Sequence, residues 1–149
     1  MASFFASMDV SATGMTAQRL RMDVISANIA NVSTTRTADG GAYKAKSVLF
    51  EEMKGGANFA SILNNETSKL NYGNGVKVKE VITDGSQGAM EYDPEHPDAN
   101  AEGYVEKSNV NIVVEMVNMI SANRSYEANV TAFNTTKSMI AKTLEIANA

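Results

Sequence analysis

The residues best equipped for chemistry gather around two prolines. Asp93, Glu95, His96 and Asp98 flank Pro94 and Pro97, the only prolines in the chain, and His96 is its only histidine. Carboxylates beside an imidazole are the raw material of a metal site or an acid–base pair. Metal ligands must converge on one point, however, and a segment stiffened by Pro at both 94 and 97 resists turning four neighbouring side chains inward. There is no Cys and no second His to share a metal. The run reads as a solvated acidic turn, so no catalytic, cofactor-binding or metal-ligating residue is expected, and no cofactor. Gly73-Asn74-Gly75 is not a phosphate loop, because no strand precedes it and no Gly-Lys-Ser/Thr follows. Asn31-Val32-Ser33 and Asn129-Val130-Thr131 match the glycosylation sequon but lie on or beside helical seams, where a glycan would block packing.

Chemistry being thin, the elements must supply the function. From Ile112, stepping by four and then three, the chain reads Ile112, Met116, Met119, Asn123, Tyr126, Val130, Phe133, Lys137, Ile140 and Leu144, eight of ten apolar. No Pro or Gly occurs after Gly103. A hydrophobic repeat of 3.5 residues held this long predicts one amphipathic helix over residues 111–147, seeking a coiled-coil-like partner. Such a helix spans roughly 55 Å. The polar interruptions Asn123 and Lys137 fall at a-type positions, which weaken a seam while fixing its register.

Residues 3–34 show the same rhythm in Phe4, Met8, Ser11, Met15, Gln18, Met22, Ile25, Ile29 and Val32, seven of nine apolar. This second helix is intrinsically weaker, since Gly14 costs about 1 kcal/mol relative to Ala. It gains its stability from burying its apolar face. The Met-rich seam also invites a calmodulin-target reading, but that needs a basic opposite face, and only Arg19 and Arg21 offer one.

Between the helices the signals are shorter. Alternation from Ala42 to Phe50 predicts a strand, and Val76, Val78 and Ile82 with interleaved charges predict a clearer one, entered through the turn pair Asn74-Gly75. Residues 55–75 are rich in Asn, Ser and Gly and read as loop. Residues 85–103 read as extended or turning, with regular structure resuming near Tyr104 and Val105. The expected fold is therefore mainly α with a small β insertion. An inserted compact module returns the chain to its start, so the terminal helices should pack as an antiparallel coiled coil. The expected division is an N-terminal helix in 1–36, a β/loop module and linker in 37–108, and a C-terminal helix in 109–149.

A net charge of −4 argues against a nucleic-acid surface. Residues 1–36 hold three Arg against two Asp, residues 37–108 seven Lys against twelve acids, and residues 109–149 three of each sign. Ends with so little net charge can pack densely against copies of themselves. No apolar run is long enough to span a bilayer. The start, MASFFASMDV, lacks the basic and continuous apolar regions of a cleaved secretory signal.

The stretch SANIANVSTT at 26–35 resembles the signature near the amino end of bacterial flagellar axial proteins, the rod and hook family. Residues 41–50 are similar to the Tyr-Lys-Ala-Lys segment that follows that signature. The run Pro94-Glu-His-Pro-Asp-Ala resembles a linker of the family's proximal rod members, and residues 110–146 resemble their carboxyl-terminal helix. The resemblance implies a structural subunit of the proximal rod, forming drive-shaft and export-channel wall in the basal body. It implies export in an unfolded state through the flagellar type III apparatus, and as partners copies of itself and other rod proteins.

The expected mechanism is assembly, partly within one subunit and partly between subunits. Phe4, Met8, Met15, Met22, Ile25 and Ile29 should bury against Met116, Met119, Tyr126, Val130, Phe133 and Ile140, with Leu144 extending the stripe. Each such burial contributes about 1.5–3 kcal/mol. Asn28, Asn31 and Asn123 are the expected polar contacts that set register. Two rivals differ in class. A periplasmic enzyme trimming cell wall would need a cleft with converging carboxylates from the acidic turn, and a cytoplasmic export chaperone or adaptor would use the same coiled-coil ends without entering a rod.

Overall fold

The computed structural model describes residues 2–38, 40–53 and 74–147. Its elements are α1 (Ala2–Ala30), β1 (Lys46–Glu52), β2 (Val76–Thr83), β3 (Met90–Tyr92), β4 (Tyr104–Glu106) and α2 (Ile112–Ala147). Two long terminal helices enclosing a small β insertion is the architecture expected from the periodicity. Most of the loop expected at 55–75 lies outside the described residues.

Each helix end has a local cause. The seven-residue rhythm runs to Val32, yet α1 ends at Ala30: Asn31 Nδ2 takes the Ala27 carbonyl at 2.8 Å beside its own N–H, and the Val32 N–H reaches back only three residues, to the Ile29 carbonyl at 3.4 Å, so the i→i−4 ladder gives way to a turn. At the start of α2, Asn111 Oδ1 accepts the N–H groups of Val113 and Val114 at 3.0 and 3.2 Å. That is an N-cap, satisfying donors a helix start otherwise leaves unpaired. Glu115 adds a negative charge in the first turn, where the helix dipole favours it.

Gly14 of α1 faces Asn129 of α2, and Asn28 of α1 binds Glu115 of α2. Partner numbers fall as α1 numbers rise, so the two helices run antiparallel.

The chain divides into two compact units. One holds Met1–Gln18, Phe50–Lys79 and Arg124–Ala149. Its most buried helix positions, Ser11, Ala17 and Thr136, are small. A Cβ at Gly14 would lie 2.9 Å from Asn129 Oδ1, closer than real Cβ contacts come. Small residues permit the close approach; the large side chains lie beside it. Thr13 ties this unit to β2, its hydroxyl donating to the Val10 carbonyl at 2.7 Å and accepting the Val76 N–H at 3.2 Å. Gly75, at φ +93°, lies against Thr13 with no room for a side chain.

The other unit holds Arg19–Leu49 and Glu80–Asn123. Its core is Ile25, Asn28, Ala42, Tyr43, Val105, Val110 and Ala122. The strand expected over 42–50 begins only at Lys46. Ala42 and Tyr43 are consumed by the core, and the Ala45 N–H goes to Asn109 Oδ1 at 2.7 Å instead of to a neighbouring strand.

β1 and β2 form one two-stranded sheet. Bonds from Met53 N to Gly75 O at 3.0 Å and from Asp84 N to Ala45 O at 2.8 Å give it antiparallel sense. β3 and β4 form a second antiparallel pair, Met90 opposite Glu106, Glu91 opposite Val105 and Tyr92 opposite Tyr104. Sequence periodicity missed β3, because three residues are too few for alternation to show.

Candidate assembly surface

Asn28 stands at the point where three segments meet. It is 1% exposed. Its Nδ2 donates to the Lys46 carbonyl at 2.8 Å and to Glu115 Oε2 at 3.1 Å. Its Oδ1 accepts the Lys46 N–H at 2.9 Å and the Tyr43 hydroxyl at 3.1 Å. Two donors and two lone pairs are all a carboxamide has. The amide therefore docks on the Lys46 peptide as a strand neighbour would, while joining the first turn of α2. Burial foremost, and then the nearby Glu115 charge, raises the Tyr43 phenol above its usual pKa.

A second asparagine repeats the device. Besides taking the Ala45 N–H, Asn109 donates Nδ2 to Ser86 Oγ at 2.8 Å and to the Ser86 carbonyl at 3.2 Å. Adjacent Lys44 donates to Glu106 Oε1 at 2.6 Å and to the Ser86 carbonyl at 3.1 Å. The Lys44 hydrogen bond, followed by the Gly88 N–H, holds the Glu106 carboxyl below its usual pKa. Gly88 presses so closely on the Lys107 carbonyl that any Cβ would collide with it. Asn109, Glu106 and Glu115 sit on no periodic stripe, and Tyr43 enters the sequence reading only through the 42–50 alternation and the segment that resembles the family's; their partners are far away in the chain.

The expected packing residues divide. Among the described side chains, Ile25 and Asn28 are buried. Met8, Met15, Met22, Ile29, Asn31, Met119, Tyr126, Val130, Phe133 and Ile140 are half-buried. Met116, Asn123 and Leu144 are exposed, and the side chain of Phe4 lies outside the described residues. Asn31 bonds within its own helix end, its Oδ1 accepting the Thr34 hydroxyl at 3.2 Å. Helix hydroxyls bond back one turn along their own helix, as Ser11, Thr16, Thr131, Thr135, Thr136 and Thr143 do.

What remains open is a strip on the first turns of α2. Ile112, Val113, Met116, Val117 and Ile120 fall within one arc of the helix, and all are exposed, Val113 at 70% and Val117 at 61%. The only charged residue between Lys107 and Arg124 is Glu115, which is turned to Asn28. Beside Ile112 and Val113 opens a shallow groove floored by Val32, the 86–89 loop and residues 108–110. Exposed aliphatic side chains this closely spaced, without a charge among them, are the mark of a surface made to be covered.

The acidic turn is tied into the structure. Asp98 accepts the Thr35 hydroxyl at 2.9 Å and pairs with Arg36 at 3.3 Å. His96 Nδ1 accepts the Asp98 N–H at 3.1 Å, and Asp93 accepts the Glu95 N–H at 3.3 Å. Among the described residues no three His, Asp or Glu side chains converge as metal ligands would. The described helices include none long and apolar enough to cross a membrane.

Comparison with known proteins reaches both helices. Residues 8–36 match the family described as flagella basal body rod protein, and residues 101–146 match the flagellar basal body rod FlgEFG protein C-terminal family. The flagellar basal-body rod protein FlgC of Bacillus subtilis (strain 168) is 51% identical over 147 residues, 95% of this chain and 97% of that one. Its namesake in Borreliella burgdorferi is 47% identical, covering 95% and 96% of the two chains. That of Escherichia coli O6:H1 is 40% identical over 93% of each.

Proposed function

This chain belongs to the FlgC family of flagellar basal-body rod proteins, and from that premise we propose that its copies stack through the uncovered faces of their terminal helices. It is a structural subunit of the basal-body rod and not an enzyme. The reading extends to a place in the proximal rod, where the stacked helices form the drive-shaft and the wall of the export channel. Other rod proteins cap the stack, and the flagellar type III apparatus delivers the chain unfolded. An inner coiled-coil domain made from residues 1–36 and 109–149 carries the contacts, with residues 37–108 as an outer module.

One observation supports this most: the strip Ile112, Val113, Met116, Val117 and Ile120 lies open on a helix whose other side is already occupied. Burying each of these side chains contributes about 1.5–3 kcal/mol, available only when another molecule arrives. Met116 and Leu144, expected at a seam and exposed in the single chain, are contacts between copies in this reading, and Asn123 sets their register. The half-buried Met8, Met15, Met22, Ile29, Met119, Tyr126, Val130, Phe133 and Ile140 serve both the single chain and its neighbours. A repeated contact between unlike faces generates an open helix when its rotation does not close into a ring, and that is the geometry of a rod.

The test replaces Val113 and Val117 by Asp in the full chain. Thermal unfolding of the purified variant should match the parent, while incorporation into isolated basal bodies, followed by immunoblot, should be lost. Normal incorporation with both charges in place sinks the stacking surface.

A further inference from the structure

The β3–β4 hairpin treats its two faces differently. Val105 is buried on one, whereas Met90, Tyr92 and Tyr104 on the other are 58%, 64% and 40% exposed. Tyr92 and Tyr104 stand opposite each other in the register, ring centroids 5.2 Å apart and planes at 65°. Beneath Tyr92 lies Gly103, where a Cβ would come within 2.9 Å of Tyr92 Cε2 and 3.3 Å of the Pro94 side chain. The Tyr92 ring is thus held from the side and from below and left bare above. Such a surface is ordered before any partner arrives, so it loses little conformational freedom on binding.

Its rim is acidic. Between Lys79 and Lys107 the chain has eight Asp or Glu and no Lys or Arg. Glu91, Asp98 and Glu106 pair with Lys107, Arg36 and Lys44. Asp93, Glu95 and Glu102 are exposed and form no ion pair among the described residues. Bare tyrosine rings beside unneutralised carboxylates suit a guanidinium, which takes the ring face as a cation and the carboxylate through paired N–H donors.

The chain holds the complementary group. Residues 1–36 are its one stretch of net positive charge, and of their three arginines Arg36 is paired with Asp98 and Arg21 is half-buried. Arg19 is exposed on α1 and has no ion pair among the described residues. We infer that the Tyr92–Tyr104 face of one copy receives Arg19 of a second copy. This rests on the stacking reading above and gives that stack a second contact between unlike patches, outside the α2 strip.

Because the chain lacks Cys, a cross-link can be read without background. Full-length Glu95→Cys copies mixed with Asp23→Cys copies, which keep Arg19 and carry the thiol one exposed turn away on α1, and a short bis-maleimide should give a mixed dimer well above that formed with Lys142→Cys copies. In sedimentation velocity, Arg19→Glu should weaken self-association about tenfold. Mixing it with Glu95→Arg/Glu102→Arg copies should restore association, and Tyr92→Leu should weaken it while keeping an apolar side chain. Cross-linking no greater than with the control, or Arg19→Glu association equal to the parent, overturns the contact. So does loss caused by Arg124→Glu in place of Arg19→Glu. Basal-body incorporation separates the two readings: a chain that enters the rod without the cross-link sinks only this contact, whereas a chain that never enters sinks the stacking itself.

Discussion

Asn28 uses every hydrogen-bonding position it has, and nearly all of the residue is out of water. Truncating it strands the Lys46 peptide, the Tyr43 hydroxyl and Glu115 together. Leaving a buried polar group unpaired costs about 1–3 kcal/mol; Tyr43 is buried whereas Lys46 is exposed and Glu115 half-buried, so Asn28→Ala should lose about 1–3 kcal/mol. The readout is a lower urea midpoint at unchanged slope. Asn28→Asp keeps the acceptor but loses both donors and faces Glu115 with like charge; its deficit should shrink as pH falls toward the carboxylate range. Tyr43 contributes a loss of stability at alkaline pH. Its folded-state pKa is raised, so in the window above the unfolded phenol value near 10 the unfolded chain has released a proton that the folded chain retains. Stability is complete below that window and declines as pH rises through it. Tyr43→Phe should flatten this decline in a denaturation series run at increasing pH. Glu106 acts oppositely: with its pKa lowered, its contribution is present above the unfolded value and is lost as pH falls through the folded one.

At the scale of elements, the two long helices meet around Gly14 through small residues, Ser11, Ala17 and Thr136 among them. Gly14 is the test case. Adding a methyl there gains about 1 kcal/mol of helix propensity but drives into Asn129, whose Nδ2 is anchored to the Ser125 carbonyl at 2.9 Å. In an Asn129→Ala background that obstacle is gone. Gly14→Ala should then stabilise by about 1 kcal/mol, with a smaller gain or a loss in the parent; calorimetry on the four chains decides it. The start of α2 depends on Asn111, and Asn111→Ala should cost about 1 kcal/mol with fraying of the first turn. Amide exchange at Val113 and Val114, whose N–H groups Asn111 accepts, should speed up most.

For the molecule as a whole, the proposed stacking treats the single chain as an incomplete object, with the open α2 strip and the bare tyrosine face as the surfaces a second copy covers. Their substitution should separate assembly from folding: Val113→Asp and Val117→Asp leave thermal unfolding unchanged and stop incorporation. Changes at Asn28 or Gly14 act the other way round, lowering stability first and assembly only as a consequence. A variant set measured both by calorimetry and by basal-body immunoblot should fall into these two groups.

The sequence by itself determined the two helices, their lengths and antiparallel sense, the β2 strand and the family. These follow from local periodicity, from the short module inserted between the helices, and from a motif written in consecutive residues. Tertiary structure decided the rest. A 3.5-residue stripe marks an apolar side but cannot say which of two adjacent rows turns inward. Here small residues, Ser11, Gly14, Ala17 and Thr136, take the most buried helix positions of one unit while Leu144 of that unit stays exposed, and in the other unit Ala122 is buried while Met116 is exposed. Nor can spacing show that Asn28 and Asn109 would hold the backbone at Ala45 and Lys46, since those bonds join residues 18 and 64 positions apart. Such pairings exist only once the chain has closed on itself, and they spend the polar groups that would otherwise have extended β1 toward its predicted start.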